Sequence, residues 1–412
     1  MMLIRNLNAL LIFSFFFFFS CTQKQELSDP MAEFGSLTVN YTAFVAPDTI
    51  QQKNEMINDT ASVCRLDNVA RFIAGFQQED TASFSTFETD SYWQEYKISM
   101  DTNWNRMYRE RLGKIKKWEI TTFSSAINDT LRVFYPFSGP DFLHAYYLYP
   151  QATEYVLAAL EPIVEIPPLD TLTLLDRDKF FDSLGNSLRD IFQKSYFITN
   201  HMKNDLKQIK GVLPPLFFFL ERSGHELLEM KFITLDSTGT EKEVEAQKLH
   251  WERTPGVKIT FRNKEDQIIK NLYYFSISIS NKGIEDRPEF ERFIAGKAPF
   301  NTFVKSASYL MHNSPFTKIK ELVLSHSQSL FQDDTGIPYK DFKNQLNLGL
   351  SFYGNYTKPV KDFDDSKFQT DLDSAYKVNK NREALPFSLG YHWGSKKQNY
   401  MLAKKQNLNQ VK

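Results

Sequence analysis

Two short stretches place carboxylates beside Gly and Pro at the end of an apolar run. The first is Ser138-Gly139-Pro140-Asp141, and the second is Gln332-Asp333-Asp334-Thr335-Gly336-Ile337-Pro338-Tyr339. If both runs are parallel strands of one sheet, their loops stop at the same edge, and three acids face one crevice. Such a group can bind a hard cation, orient sugar hydroxyls or act as acid and base. Ser138, Gly139, Asp141, Gln332, Asp333 and Asp334 are therefore the candidate pocket residues. The competing reading makes Asp141 a helix cap and gives Asp333 and Asp334 to turn amides.

Other chemistry-bearing patterns are incomplete. Asp334-Thr335-Gly336 matches the catalytic loop of an aspartic protease, but that chemistry needs two apposed loops and apolar residues before the Asp, where this chain has Gln332 and Asp333. Ser374-Ala375-Tyr376-Lys377 has no S-D-N or K-T-G after it. His225-Glu226 lacks the second His of a zinc helix, and His144, His201, His250, His312, His326 and His392 show no close ligand spacing. There is no G-x-S-x-G, no P-loop and no G-x-G-x-x-G. No metal, cofactor or catalytic residue is assigned.

The first acidic loop lies in the stretch that reads most clearly. Leu131, Val133, Phe134, Tyr135 and Phe137 form an apolar run without alternation, the pattern of a strand covered on both faces. Gly139 and Pro140 break it, Phe142, Leu143, Tyr146 and Tyr147 follow at helical spacing, and Pro150 ends the helix. Tyr155 to Leu160 is a second strand. Enough residues lie between them for a crossover, so residues 131–161 predict a βαβ unit.

Elsewhere, helices are expected over 67–76, 91–118 and 178–209, and a helix opening at Ser314-Pro315. Leu227–Leu235, Val244–Trp251, Val257–Phe261 and Leu272–Ile279 predict antiparallel strands, the last with Tyr273, Phe275, Ile277 and Ile279 buried and its other face polar. Short strands are expected at 329–331 and 346–353. The fold class is thus α/β to α+β: a mixed sheet with a βαβ unit near 131–161, an antiparallel section near 227–280, and flanking helices. The domain plan is a leader at 1–20, a polar tether at 21–61, one large globular domain at 62–393 and a loose tail at 394–412.

The composition, 42% hydrophobic and 15% aromatic over 412 residues, is that of a folded protein. Basic residues number 49 and acidic residues 50, and the leader removes only Arg5, so no electrostatic case for nucleic acid arises. In that leader Arg5 precedes an apolar run from Ala9 to Phe19, closed by Phe18-Phe19-Ser20-Cys21. The run is too short to span a membrane, which takes about 20 apolar residues. It resembles a bacterial lipoprotein signal, which implies that Cys21 becomes the first mature residue and carries the lipid, palmitate included. The departure is Phe19, where that signal prefers a small residue. With Cys21 acylated, Cys64 is left as the sole thiol and no internal disulfide can form.

Asp followed by Ser or Thr and then Ala, Ile, Leu, Val, Met or Thr occurs eight times, at Asp48, Asp59, Asp80, Asp129, Asp170, Asp182, Asp236 and Asp373. Ordinary residue frequencies give about one or two. The pattern is similar to the O-glycosylation acceptor of exported Bacteroidota proteins, and Thr60 and Thr81, in polar segments, are the candidate sites. Asp-Thr and Asp-Ser also serve as caps and turns. FYPFSGPDF and QDDTGIPY resemble an uncharacterised family of Bacteroidota lipoproteins, a likeness that implies no activity.

These readings lead to a cell-envelope protein, membrane-attached through Cys21, with the outer membrane as the expected site. Its expected role is to bind a ligand or partner at the sheet-edge crevice. The alternative is a glycan-directed envelope hydrolase using Asp141, Asp333 and Asp334.

Overall fold

Strand β1 (Arg132–Pro136), helix α3 (Phe142–Leu148) and strand β2 (Glu154–Ala159) form the βαβ unit, with β1 parallel to β2 from Arg132 opposite Glu154 to Pro136 opposite Ala158. In the computed structural model, residues 60–406 are described apart from 78–83, 85–86, 128–129, 199–208, 210, 343–346, 360–362, 364 and 395–396. Residues 1–59 lie outside the described residues, and with them the expected leader, Cys21 and all of the expected tether but its last two residues, which begin a helix; Thr81 and the side chains of Thr60 and Cys64 also lie outside.

The remaining strands are β3 (His225–Leu235), β4 (Glu241–Glu243), β5 (Gly256–Asn263), β6 (Ile269–Ser276), β7 (Phe300–Val304), β8 (Ser327–Gln332), β9 (Leu348–Gly354) and β10 (Asn399–Lys405). They make one ten-stranded mixed sheet in the order β4-β3-β5-β6-β2-β1-β7-β8-β10-β9. Its centre, β6-β2-β1-β7-β8, is parallel throughout, and both flanks are antiparallel. The chain steps outward from β1 to β2 and β6 on one side, then returns to place β7 on the other side of β1. The sheet order reverses between β1 and β7, and a reversal of this kind opens a crevice at the carboxyl ends of the strands.

Alternate residues of the central strands enter two separate cores. Val133, Tyr135, Tyr155, Leu157, Phe303 and Phe331 face one, and Phe134, Val156, Ala158, Phe300, Val304 and Leu330 face the other. This double burial is why β1 shows no alternation. The first face is covered by α1 (Thr60–Ile73), by α2 (Ser91–Met107, which runs on through two π-turns to Ala126), by α4 (Leu174–Lys194) and by α5 (Leu213–Arg222). Every residue of α5 is buried, and Pro214 and Pro215 open it where a missing N–H costs nothing. At about 1.5 to 3 kcal/mol for each large apolar side chain, this helix is a main source of stability. Helices α6 (Asn281–Glu285), α7 (Pro288–Lys297), α8 (Thr317–His326) and α9 (Thr370–Val378) follow the parallel and C-terminal strands, and α7, α8 and α9 pack into the second core.

Three expectations are corrected. Val244–Trp251 is not a strand: Ala246–Trp251 is a 3-10 turn beside the short β4, and Trp251 is exposed. Strand β6 has no polar face, because Leu272 and Tyr274 are buried in the first core as completely as Phe275 is in the second. Within the segment expected to be loose from residue 394, Asn399–Lys405 is a strand inside the sheet between β8 and β9. Tyr400 and Leu402 fill one core, and Met401 and Ala403 the other. Among the described residues no helix is long and apolar enough to cross a membrane.

Candidate functional site

The loop leaving β1 turns on left-handed backbone at Phe137 (φ 62°) and Gly139 (φ 54°), then enters α3 at Asp141. Asp141 caps that helix, accepting from the His144 backbone N–H at 3.3 Å. The same carboxylate accepts from the Tyr135 hydroxyl at 3.1 Å and the Lys305 ammonium at 2.7 Å, and its Oδ1 lies 2.8 Å from His144 Nδ1. Burial alone would push the Asp141 carboxyl up, but the His144 and Lys305 groups facing it hold it at about 2. Burial also pushes His144 down to about 4, so the ring is neutral at pH 7. A carboxylate only accepts, so the ring proton sits on Nδ1 and Nε2 is an acceptor. Both His144 Nε2 and the Ser138 hydroxyl are buried without a hydrogen-bond partner among the described residues, so they are not bonded to each other. Ser138, His144 and Asp141 therefore do not form a nucleophilic triad, which needs that contact.

Lys305 is the residue that sequence reasoning missed. It follows β7 directly, is 2% exposed, and donates also to the carbonyl of Ser195, the left-handed residue (φ 70°) that ends α4. Burial pushes its ammonium down from the ordinary range, and Asp141 opposes that shift. The buried Arg111 guanidinium ties the same helix end from below, donating to the carbonyls of Ile191 at 3.0 Å and Gln193 at 3.3 Å. One signal was available in the sequence: Lys305-Ser306-Ala307-Ser308, small and polar, directly after the apolar Phe300–Val304.

The second acidic loop reaches the same sheet edge but faces away from open space. Asp333 Oδ2 accepts from the Ser306 N–H at 2.8 Å, Thr335 Oγ1 accepts from the Ala307 N–H at 2.7 Å, and Asp334 Oδ2 accepts from the Tyr309 hydroxyl at 2.6 Å. Asp334 Oδ1 accepts from Asn399 of β10 at 2.9 Å. Gln332 closes its own loop by a reciprocal pair with Ile337, and a Cβ on Gly336 would meet Gln332 Oε1 at 2.4 Å, so a larger residue there would push the Gln332 side chain out of that pair. Across the loop, a Cβ on Gly390 (φ 75°) would meet Asp333 Oδ2 at 2.8 Å. Burial and the neighbouring Asp334 push the Asp333 carboxyl above its usual range. Gln332, Asp333 and Asp334 line a hollow of about 10 Å³, no larger than one water needs, and are not among the residues that line the crevice. Their work is to brace the 305–309 loop.

The crevice at the order reversal holds about 500 Å³, a size that suits a small molecule. Ser138, Gly139 and Asp141 line it after β1, Leu160 and Glu161 after β2, Ile277 to Ile279 after β6, and Lys305 to Ser308 after β7. Aromatic rings wall it: Phe137 and Phe316 have centroids 6.0 Å apart, and Tyr391 packs against Tyr196 at 4.7 Å and Phe363 at 5.2 Å. The backbone around it is strained. Among the described residues the non-glycine positions with positive φ are Phe137, Ser195, Gln267, Ser306, Ser308 and Tyr309, and all but Gln267 belong to the loops that build the crevice. A left-handed conformation costs a bulky residue about 1 to 3 kcal/mol and persists only where surrounding contacts enforce it.

Two other hollows, of about 390 Å³ between α2 and α4 and about 640 Å³ beside the start of α4, lie away from the strand ends. Among the described residues no three His, Cys, Asp or Glu side chains are grouped to hold a metal ion. Ser374 and Lys377 lie on α9 and are spent on Thr370 and Asp373. Of the Asp-Ser/Thr sites, Ser183 is buried in α4, and Asp236 closes a turn on Thr238 and Thr240. Thr60 opens α1. No family model matches the chain, and neither the curated proteins nor the solved structures contain a similar one.

Proposed function

We propose that this is a lipid-anchored cell-envelope protein, held at the membrane through Cys21, that binds a small molecule in the crevice between β1 and β7. One observation carries the binding reading: left-handed backbone at Phe137, Ser306, Ser308 and Tyr309 gathers at one rim, braced by Asp141, Asp333, Thr335 and Asp334. Strain of this kind concentrates at ligand sites because it fixes groups in advance of binding. The hydrolase reading loses support, since all three carboxylates are occupied by helix, loop and strand contacts rather than aimed at a common point.

The test is native mass spectrometry of the protein released from its own membranes, beside a Leu310→Trp variant. Leu310 is half-buried on the crevice wall, so an indole there fills the space without entering either core. The expected result is a small molecule on the wild type that is absent from the variant, with equal circular dichroism for both. Equal occupancy of both proteins contradicts the reading.

A further inference from the structure

We infer that the outer face of α2, from Arg106 to Ile120, is a docking surface for the headgroups of anionic phospholipids and fixes how the folded part lies on its membrane; this rests on the attachment proposed through Cys21. Basic residues are concentrated there. The stretch from Arg106 to Lys117 holds Arg106, Arg109, Arg111, Lys114, Lys116 and Lys117 against one acid, Glu110, in a chain whose totals are 49 basic and 50 acidic.

The fold sorts these six. Arg111 turns inward and donates to the carbonyls of Ile191, Gln193 and Ser388, while Met107, Leu112, Ile115 and Trp118 fill the first core. The other five are exposed. A π-turn over Tyr108–Leu112 adds one residue to the helical turn, so Arg109 and Lys114, five positions apart, return to the same side. At a rise of about 1.5 Å per residue the exposed cations span roughly 17 Å of helix. Glu110 is taken by Arg109 at 3.6 Å, Glu119 is buried, and Glu383, beyond the end of the row, accepts from Trp118 and Thr122. The exposed lysines Lys179, Lys242, Lys248, Lys282 and Lys377, on other elements, each lie within 3.8 Å of a carboxylate oxygen. By contrast, Lys114, Lys116 and Lys117 have no ion pair among the described residues.

The type of cation and its neighbours identify the partner. Lysine is a hydrated point charge on a flexible stem, suited to a diffuse layer of phosphates, whereas the fixed fork of arginine suits a single paired carboxylate. Three of the five exposed cations are lysine. Ile120, 44% exposed, lies three and four positions from Lys117 and Lys116 and offers apolar contact at headgroup depth on the same side. At the other end of α2, Asp90, Glu95 and Asp182 gather with Asp178 near Tyr92. A negatively charged bilayer therefore attracts one half of the helix and repels the other, which gives the attached protein one preferred orientation.

The experiment follows side-chain reactivity on the full mature chain, extracted from its own membranes and placed on vesicles of phosphatidylcholine alone or of phosphatidylcholine with phosphatidylglycerol. Acetylation of each lysine is read by mass spectrometry. Lys114, Lys116 and Lys117 are expected to react about fivefold more slowly on the anionic vesicles, with Lys282 and Lys377 unchanged and the difference lost in high salt. The variant Lys114→Gln, Lys116→Gln, Lys117→Gln is expected to keep the wild-type Tm, since the three side chains are exposed, while Arg109 loses its own protection from a guanidinium reagent. Protein attached to both vesicles with equal rates at every lysine overturns the docking surface and leaves the anchor standing. Protein that stays off both overturns the two together. Equal rates on the vesicles with capture on immobilised polyglutamate, lost in the triple variant, overturns the lipid assignment in favour of an acidic polypeptide partner.

Discussion

Asp141 Oδ2 and Lys305 Nζ lie 2.7 Å apart with both side chains 1% exposed, joining the loop after the first strand to the loop after β7 across the point where the sheet order reverses. The bond spans 164 residues of chain, 305 minus 141, and is the electrostatic link between the two walls of the crevice. Removing one partner leaves a buried charge without compensation. Lys305→Met is therefore expected to destabilise the protein by about 3 to 5 kcal/mol in urea unfolding. The double variant Asp141→Leu, Lys305→Met should recover part of that loss, because it removes both buried charges while the helix cap, the Tyr135 hydroxyl, the His144 ring N–H and the Ser195 carbonyl still lose their partners. Additive losses in the double variant would mean that the two residues do not act as a pair.

Acid should loosen this junction in two intervals. His144 is neutral in the fold down to about 4 against an ordinary 6.5, so the unfolded chain takes up a proton that the folded one refuses, and stability falls as pH drops across that range. Asp141 is held at about 2 against an ordinary 3.8; its contribution is complete above 3.8 and is lost as pH falls through about 2. The unfolding free energy of wild type minus that of Asp141→Asn should thus be flat near neutrality and shrink below pH 3.8 by on the order of 2 kcal/mol. A difference that does not vary with pH would contradict the charge state assigned to Asp141. NMR of the imidazole should report an Nδ1–H tautomer at pH 7.

The left-handed serine at 308 offers a test of strain. Its φ is 52°, it is exposed, and its hydroxyl meets Tyr391 at 2.7 Å. Glycine adopts this conformation freely, so Ser308→Gly should gain about 0.5 to 1 kcal/mol in the free protein after its own entropy cost. Ligand affinity should fall, because the loop is then less firmly fixed. A stabilised variant that binds as tightly as wild type would remove strain from the account.

Attachment to the membrane rests on the leader and is tested apart from the fold. Metabolic labelling with a fatty-acid probe should tag the wild type and leave Cys21→Ser unlabelled. Equal labelling of the two would contradict lipidation at Cys21. Intact-mass measurement of the same samples checks for glycan at Thr60 or Thr81, and an unmodified mass would remove that expectation.

Local pattern made much of this site legible. The run Leu131 to Leu160 encodes strand, turn, cap and helix in adjacent residues, so β1, Asp141 and α3 could be read from it, and parallel strands put Gln332–Asp334 at the same edge. What failed depended on contacts distant in sequence. Nothing near Lys305 announces that its partner is Asp141, or that Ser195 supplies a carbonyl. The acids at 333 and 334 read as crevice groups because their neighbours Ser306, Tyr309 and Asn399 come from two other segments. In Asn399–Lys405 the flanking polar and basic residues hid a strand whose centre, Tyr400 to Ala403, is buried on both faces. The same double burial hides β6, where Tyr274 has the pattern of a polar face in sequence and lies fully buried in the first core.

The most direct test of binding in the crevice is amide hydrogen exchange on the protein released from its own membranes, with and without the small molecule that co-purifies with it. Exchange follows local opening, and a ligand that bridges the strained loops must suppress it there. Protection confined to residues 137–141, 159–161, 277–279 and 305–309 is the predicted result. Protection centred on the hollows along α4, with the 305–309 loop unchanged, would contradict the account.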